Sequence, residues 1–260
     1  MAFKIETAFI SDADGDWLAE NFPRMGRSHS SYCPTCGKAG TYRWQGADHQ
    51  CDCRRQLKLH QHYLLAGIGV PYQRLDWEDY VGGEIGDLID FIADRERYLD
   101  RGIGFILAGG FGLGKTMLAN LALKECVKSG YRCYATTFAQ TIDMYTSTWY
   151  SLDEKHRFQR RFLQSDVLLL DDVGKEMRAK NNLPPATFDS ILRSRVQAGR
   201  ATLITTNMTL EELGQGYGAA VLSLLTESSM LFKVGGEDFR PESRRRTRRE
   251  LDNGETRPIF

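Results

Sequence analysis

From residue 71 onward, short apolar runs alternate with longer stretches in which apolar residues recur every three or four positions. That alternation predicts strands and helices in turn, and therefore an α/β fold with a parallel sheet covered by helices. The predicted strands are 104–108, 131–136, 167–170, 201–205 and 230–234. Three intervening helices carry start signals: Thr137 with Gln140, Ser151 with Glu154 and Thr209 with Glu212, each at capping-box spacing. Before residue 71 the pattern differs. Thr41-Tyr42-Arg43-Trp44 has the β-branched and aromatic character of a short strand, and 54–66 reads as a helix with Leu57, Leu64 and Leu65 among basic and polar residues. Gly67-Ile68-Gly69-Val70-Pro71 breaks that helix and marks a hinge. The expected organisation is an N-terminal unit at 1–66, a main domain at 67–240 and a basic tail at 241–260.

Composition narrows the setting. A hydrophobic content of 42% suffices for a core, and a formal net charge of zero leaves any nucleic-acid affinity to local patches. No apolar run approaches the roughly 20 residues that span a bilayer, and Met-Ala-Phe-Lys-Ile-Glu has no signal-peptide core. The six cysteines then point to a reducing compartment, where thiols stay free or hold metal. The expectation is a cytoplasmic protein without a membrane partner.

Residues 109–116 read Gly-Gly-Phe-Gly-Leu-Gly-Lys-Thr, a complete G-x-x-x-x-G-K-[ST] phosphate loop between a predicted strand and a predicted helix. The backbone of Gly110, Phe111, Gly112, Leu113, Gly114, Lys115, Thr116 and Met117 is expected to cradle the phosphates of ATP or ADP at a helix N-terminus. Lys115 would reach the β- and γ-phosphates, and the Thr116 hydroxyl would help hold magnesium. About 55 residues on, Val167-Leu168-Leu169-Leu170 delivers Asp171 and Asp172 to the end of a buried strand. Asp171 is the candidate magnesium ligand and Asp172 the candidate for orienting the attacking water. The strand 202–206 ends in Asn207, an amide placed to lie between the carboxylates and the γ-phosphate.

Cys33-Pro-Thr-Cys36 and Cys51-Asp-Cys53 form two close pairs on either side of a short insert, the arrangement a tetrahedral zinc site requires. His29 and His49 are possible substitute ligands. A redox C-x-x-C would want a βαβ neighbourhood, and unconnected thiols are the plainest alternative. Cys126 and Cys133 read as buried thiols of the main domain.

These pieces, in this order, resemble the AAA+ ATPases of the DnaC/IstB type, the replicative-helicase loaders of bacteria and phages. The likeness spans the four-cysteine segment, 66–71, 109–116, 168–174, Thr205-Thr206-Asn207 and Gly236-Glu237-Asp238-Phe239-Arg240. It implies that Asn207 is a sensor residue and that Arg240 is an arginine near the nucleotide. It also implies an N-terminal zinc domain that grips a DnaB-type helicase hexamer, and an ATPase domain that handles single-stranded DNA and self-associates or assembles on the helicase. The family's Gly-Glu-Arg-Val-x-Ser-Arg-Leu segment corresponds here to 218–225, with Ala220 and Leu224 at the arginine positions. Hydrolysis by the chain alone is therefore expected to be slow unless Arg193, Arg195 or a partner supplies the charge. An IstB-like transposition helper and a weakly catalytic helicase scaffold or inhibitor are the other two readings. The zinc segment favours the loader.

Two stretches are candidates for DNA. Tyr145, Trp149 and Tyr150, followed by Lys155, His156, Arg157, Arg160 and Arg161, interleave aromatics with cations in the manner of single-strand binders. Arg240, Arg244, Arg245, Arg246, Arg248 and Arg249 read as a flexible arm for phosphates.

Overall fold

Two of the predicted strands have so little polar character that both of their faces must be covered, and the fold covers them. The computed structural model describes residues 10–22, 35–37, 39–175, 182–238, 240–253 and 259. Strands β1 (Thr41–Trp44) and β2 (Ala47–Gln50) form an antiparallel hairpin near the N-terminus. The other five, β3 (Gly104–Ala108), β4 (Cys133–Thr137), β5 (Val167–Val173), β6 (Ala201–Thr206) and β7 (Ser229–Lys233), make one parallel sheet in the order β4-β5-β6-β3-β7. Every residue of β3 and β6 is buried.

Side chains alternate between the faces, as strand geometry demands. Phe105, Leu107, Leu169 and Leu203 meet one helical layer, in which the helix 115–128 supplies Leu118, Ala119, Ala122 and Cys126. Ile106, Leu168, Leu170 and Ile204 meet the other, which includes Phe138, Phe162, Phe188, Ile191 and Tyr217. In chain order the helices are α1 (Asp12–Asn21), α2 (Asp52–Leu65), α3 (Val70–Gln73), α4 (Gly86–Ala93), α5 (Arg95–Leu99), α6 (Lys115–Lys128), α7 (Phe138–Ser147), α8 (Leu152–Phe158), α9 (Leu183–Gln197), α10 (Leu210–Tyr217), α11 (Ala219–Ser228) and α12 (Arg240–Asp252). Thr137, Ser151 and Thr209 accept from the expected backbone N–H groups at the starts of α7, α8 and α10, and the Thr209/Glu212 pair closes a full capping box. Among the described residues no helix is long and apolar enough to cross a membrane.

The structure departs from the sequence reading in three places. The break after residue 66 is a fixed turn, with Gly67 in the left-handed region (φ 72°), where a Cβ would sit 2.4 Å from the Ala135 carbonyl oxygen. Ala135 donates its N–H to the Ala66 carbonyl at 2.7 Å, and Leu59 and Tyr63 of α2 belong to the same core as the sheet. The arginine-rich C-terminal stretch is a helix where an arm was expected. It is tied down by Arg246 on Asp79 at 2.8 Å, and beyond it the Ile259 backbone exchanges hydrogen bonds with the Gln56 side chain. Finally, β5 runs on to Val173 and carries both aspartates through an irregularity in its pairing with β6 between Leu170 and Val173.

Two buried cations hold the layers in place. Arg195, fully buried, donates to the carbonyls of Phe162, Ser165 and Ala201 and to the Thr202 hydroxyl. Lys124, 1% exposed, donates to the carbonyls of Tyr72, Gln73 and Leu75 and lies over the Tyr63 ring.

Candidate nucleotide-binding site

The loop between β3 and α6 wraps the N-terminus of α6, where unpaired backbone N–H groups favour an anion. Gly112 has φ 77°, and a Cβ there would lie 2.3 Å from the Asp238 carboxylate, so the tight path demands glycine. Lys115 is 7% exposed, and its ammonium donates to the carbonyls of Gly109 (2.9 Å) and Gly110 (2.6 Å) and to Asn207 Oδ1 (2.7 Å). Burial lowers its pKa, and the nearby Asp172 and Asp171 oppose that shift. The structure thus brings the phosphate-loop lysine and the expected sensor amide into direct contact.

Asp171 lies behind the loop. It accepts from Thr116 Oγ1 at 3.0 and 3.2 Å and from Thr205 Oγ1 at 2.5 Å. Burial raises its pKa, and the Thr205 hydrogen bond pulls it back. The two hydroxyls hold the carboxylate in place, and a hydroxyl beside a carboxylate is the hard-oxygen donor set that magnesium takes. Asp172 adopts a left-handed backbone (φ 59°), donates its N–H to Thr205 Oγ1 at 2.9 Å and pairs its carboxylate with Lys175 at 2.5 Å. The sequence reading named Thr205 only as part of the segment ending in Asn207, without a role, and did not single out Lys175.

A cleft of about 710 Å³ opens over these groups. Val70, Pro71, Tyr72, Arg74 and Leu75 line one part of it, residues 111–117 another, and Asp172, Lys175 and Asn207 the rest of its floor. Helix α12 adds Arg240, Arg244, Arg246 and Thr247, which brings the C-terminal arginines to the cleft. The Arg240 backbone N–H is held by Asp238 at 3.0 Å, and the Tyr80 hydroxyl reaches the Leu113 carbonyl at 3.3 Å. The volume lies within the range of small-molecule sites.

The sequence profile of the family described as IstB-like ATP binding protein matches residues 92–247. The chain belongs to this family. It is 25% identical over 156 residues to a protein of Geobacillus stearothermophilus named as an ATP-binding product of insertion sequence IS5376, a match covering 57% of this chain and 59% of the relative. The chain therefore spans less than two thirds of that relative's length. It is 22% identical over 223 residues to the uncharacterized Escherichia coli protein YdaV, covering 82% of this chain and 88% of the other. Among solved structures, that of the DnaC helicase loader superposes with a TM-score of 0.54 at 25% identity, covering 64% of this chain and 99% of the solved chain. The sheet order and the phosphate loop are thus those of an IstB/DnaC-like AAA+ domain.

Other features of this IstB-like chain lie away from the cleft. The sulfurs of Cys36, Cys51 and Cys53 fall within 4.8 Å of one another, with Cys36 and Cys53 3.5 Å apart. Zinc–sulfur bonds of about 2.3 Å place sulfurs at such separations, so the trio fits the ion. Cys33 and His29 lie outside the described residues. His49 stacks on Tyr42 in the exposed hairpin. Cys126 is buried, as expected, while Cys133 is half-buried.

Two expectations about cations are corrected. Arg195 cannot act on a neighbouring chain, because its guanidinium is consumed by the interior contacts described above. Arg161 stands between the rings of Trp17 and Tyr134, 5.3 Å from each, and so is engaged within the fold. Arg193 is exposed and paired with Asp189. Ala220 is exposed and Leu224 half-buried on α11. Tyr145 packs on Phe158, whereas Trp149 (59%) and Tyr150 (87%) stand in solvent.

Proposed function

We propose that this chain is an ATP-binding helicase loader, which uses an AAA+ domain to recruit a hexameric DnaB-type replicative helicase and place it on single-stranded DNA. It would act in the cytoplasm of a bacterium or a phage-infected host. The observation that carries the nucleotide part is the convergence of Lys115, Thr116, Asp172 and Asn207 on one cleft, with Asp171 hydrogen-bonded to Thr116 behind it. On this reading the backbone of 110–117 cradles ATP or ADP, Lys115 leaves its loop carbonyls for the β- and γ-phosphates, and Asn207 faces the γ-phosphate. Thr116 and Asp171 would hold magnesium, which supplies charge neutralisation for the phosphates. Asp172 orients the attacking water, and Arg240 approaches the phosphates from α12.

The DnaC structure, matched along nearly its whole length, supports the loader reading. The cysteine cluster supports a partner-binding unit ahead of the AAA+ domain, with Cys33 completing a zinc site alongside Cys36, Cys51 and Cys53. Trp149 and Tyr150 are available for base stacking, with Lys155, His156 and Arg160 exposed nearby.

The insertion-sequence relative favours a second reading, an ATPase that assists a transposase. A co-purification test separates the two. The full chain, loaded with ADP or a slow ATP mimic, is mixed with a DnaB-type hexamer and single-stranded DNA. Formation of a ternary complex supports the loader. Failure to bind the hexamer in any nucleotide state, together with binding to duplex DNA, points to the transposition helper.

A further inference from the structure

The family segment that carries arginines toward a neighbouring ATP has none here, and between residues 201 and 238 Lys233 is the only lysine or arginine. Several cations nevertheless line the cleft, Arg240 and Arg244 of α12 among them, and Lys175 is the one paired with Asp172. Lys175 lines the cleft together with Lys115, Thr116 and Asn207, and its ammonium lies 2.5 Å from Asp172 Oδ2. The lysine side chain is 58% exposed, so the pair contributes little to stability. The backbone turn that carries it, in contrast, is held in place. Thr206 Oγ1 donates to the Val173 carbonyl at 2.7 Å, and Gly174 has φ 108° with Met208 sulfur 2.3 Å from where a Cβ would be. The turn that presents Lys175 is therefore clamped to the end of β6, the strand that also presents Asn207.

We propose that Lys175 is a catalytic residue acting within its own chain, its ammonium held by Asp172 to neutralise charge on the γ-phosphoryl group as it transfers. This rests on the ATP-hydrolysing reading above. The oxygen of water bonds to the γ-phosphorus, and the bond from that phosphorus to the β,γ-bridging oxygen breaks. Its electron pair stays on ADP, and the proton of water passes to Asp172. ADP and inorganic phosphate leave, and Lys175 exchanges no proton. Lysine is a point charge rather than a fork, so it suits charge neutralisation better than bidentate clamping.

The test uses the full chain with magnesium and compares wild type, Lys175→Ala and Lys175→Arg. Calorimetry measures binding of ADP alone and of ADP with aluminium fluoride, which mimics the transferring phosphoryl group. Lys175→Ala should bind ADP within about threefold of wild type but lose about 100-fold of the extra affinity for the mimic, the scale of one preorganised charge-stabilising group. Its kcat should fall by a similar factor, Lys175→Arg should keep most of both, and wild-type turnover per chain should not change with protein concentration. Unchanged affinity of Lys175→Ala for the mimic overturns the proposal. Turnover per chain that rises with concentration also overturns it, since the cation then comes from a second copy. Wild-type protein that binds no ADP would defeat the nucleotide reading itself, a separate result.

Discussion

Replacing Lys124 with methionine keeps the length of a side chain that is 1% exposed but removes its charge and its three carbonyl partners. Two large terms oppose each other. Burial, reinforced by Lys128 and opposed by Asp76, Glu125 and Asp79, lowers the Lys124 pKa from 10.5 to about 8. Keeping it protonated near pH 7.5 therefore costs the native state about 3 kcal/mol. Methionine removes this cost but strands the Tyr72, Gln73 and Leu75 carbonyls, a loss of about 3–5 kcal/mol. Lys124→Met should thus destabilise by no more than about 2 kcal/mol near neutrality. The pH dependence is more diagnostic. The folded pKa lies below the unfolded one, so between about pH 8 and 10.5 the unfolded chain binds more protons and stability rises with pH. Wild type should gain about 2 kcal/mol over Lys124→Met between pH 7.5 and 9.5, read from urea unfolding of both proteins. A difference that stays flat across this range would refute the assignment of a buried, depressed ammonium. Nucleotide binding gives an independent check. The three carbonyls belong to the 70–75 wall of the cleft, so the variant should lose ATP affinity while binding tripolyphosphate as wild type does.

Arg195→Met should lower stability by about 3–5 kcal/mol, because it strands several buried carbonyls at once; a urea midpoint within error of wild type would contradict this. Thr205→Val removes the donor to Asp171 and the acceptor of the Asp172 N–H, and should weaken magnesium-dependent ADP binding about tenfold while leaving magnesium-free binding alone. Arg246→Ala cuts the tie between α12 and Asp79, so amide exchange across 240–252 should accelerate and ADP should dissociate faster. Metal analysis of protein purified without chelator should find about one zinc per chain, and Cys36→Ser should lose it.

Much of this was legible because each signal was local. The central strands declared themselves through unbroken apolar runs, the helix starts through Thr137, Ser151 and Thr209, and the phosphate loop through its fixed spacing. What stayed hidden depends on contacts between residues far apart in sequence. Nothing near Lys124 or Arg195 distinguishes them from surface cations, because their partners are carbonyls on other elements. The arginine-rich stretch looked like a solvated arm until Asp79, 167 residues earlier, gave Arg246 a place to bind. Asp171 and Asp172 were assigned separate roles from their place at a strand end, but their partners, Thr116 and Thr205 for one and Lys175 for the other, lay on other parts of the chain.

Helix α2 links two distant parts of the molecule. Cys51 immediately precedes it and Cys53 sits in its first turn, while near its far end Tyr63 lies beneath Lys124 and, through it, the wall of the cleft. Its 14 residues span about 21 Å at 1.5 Å per residue. A tilt of only about 5° at the cleft end would swing the cysteine cluster and its hairpin by about 2 Å. The helix is thus one stiff rod joining the cysteine cluster to the underside of the cleft wall.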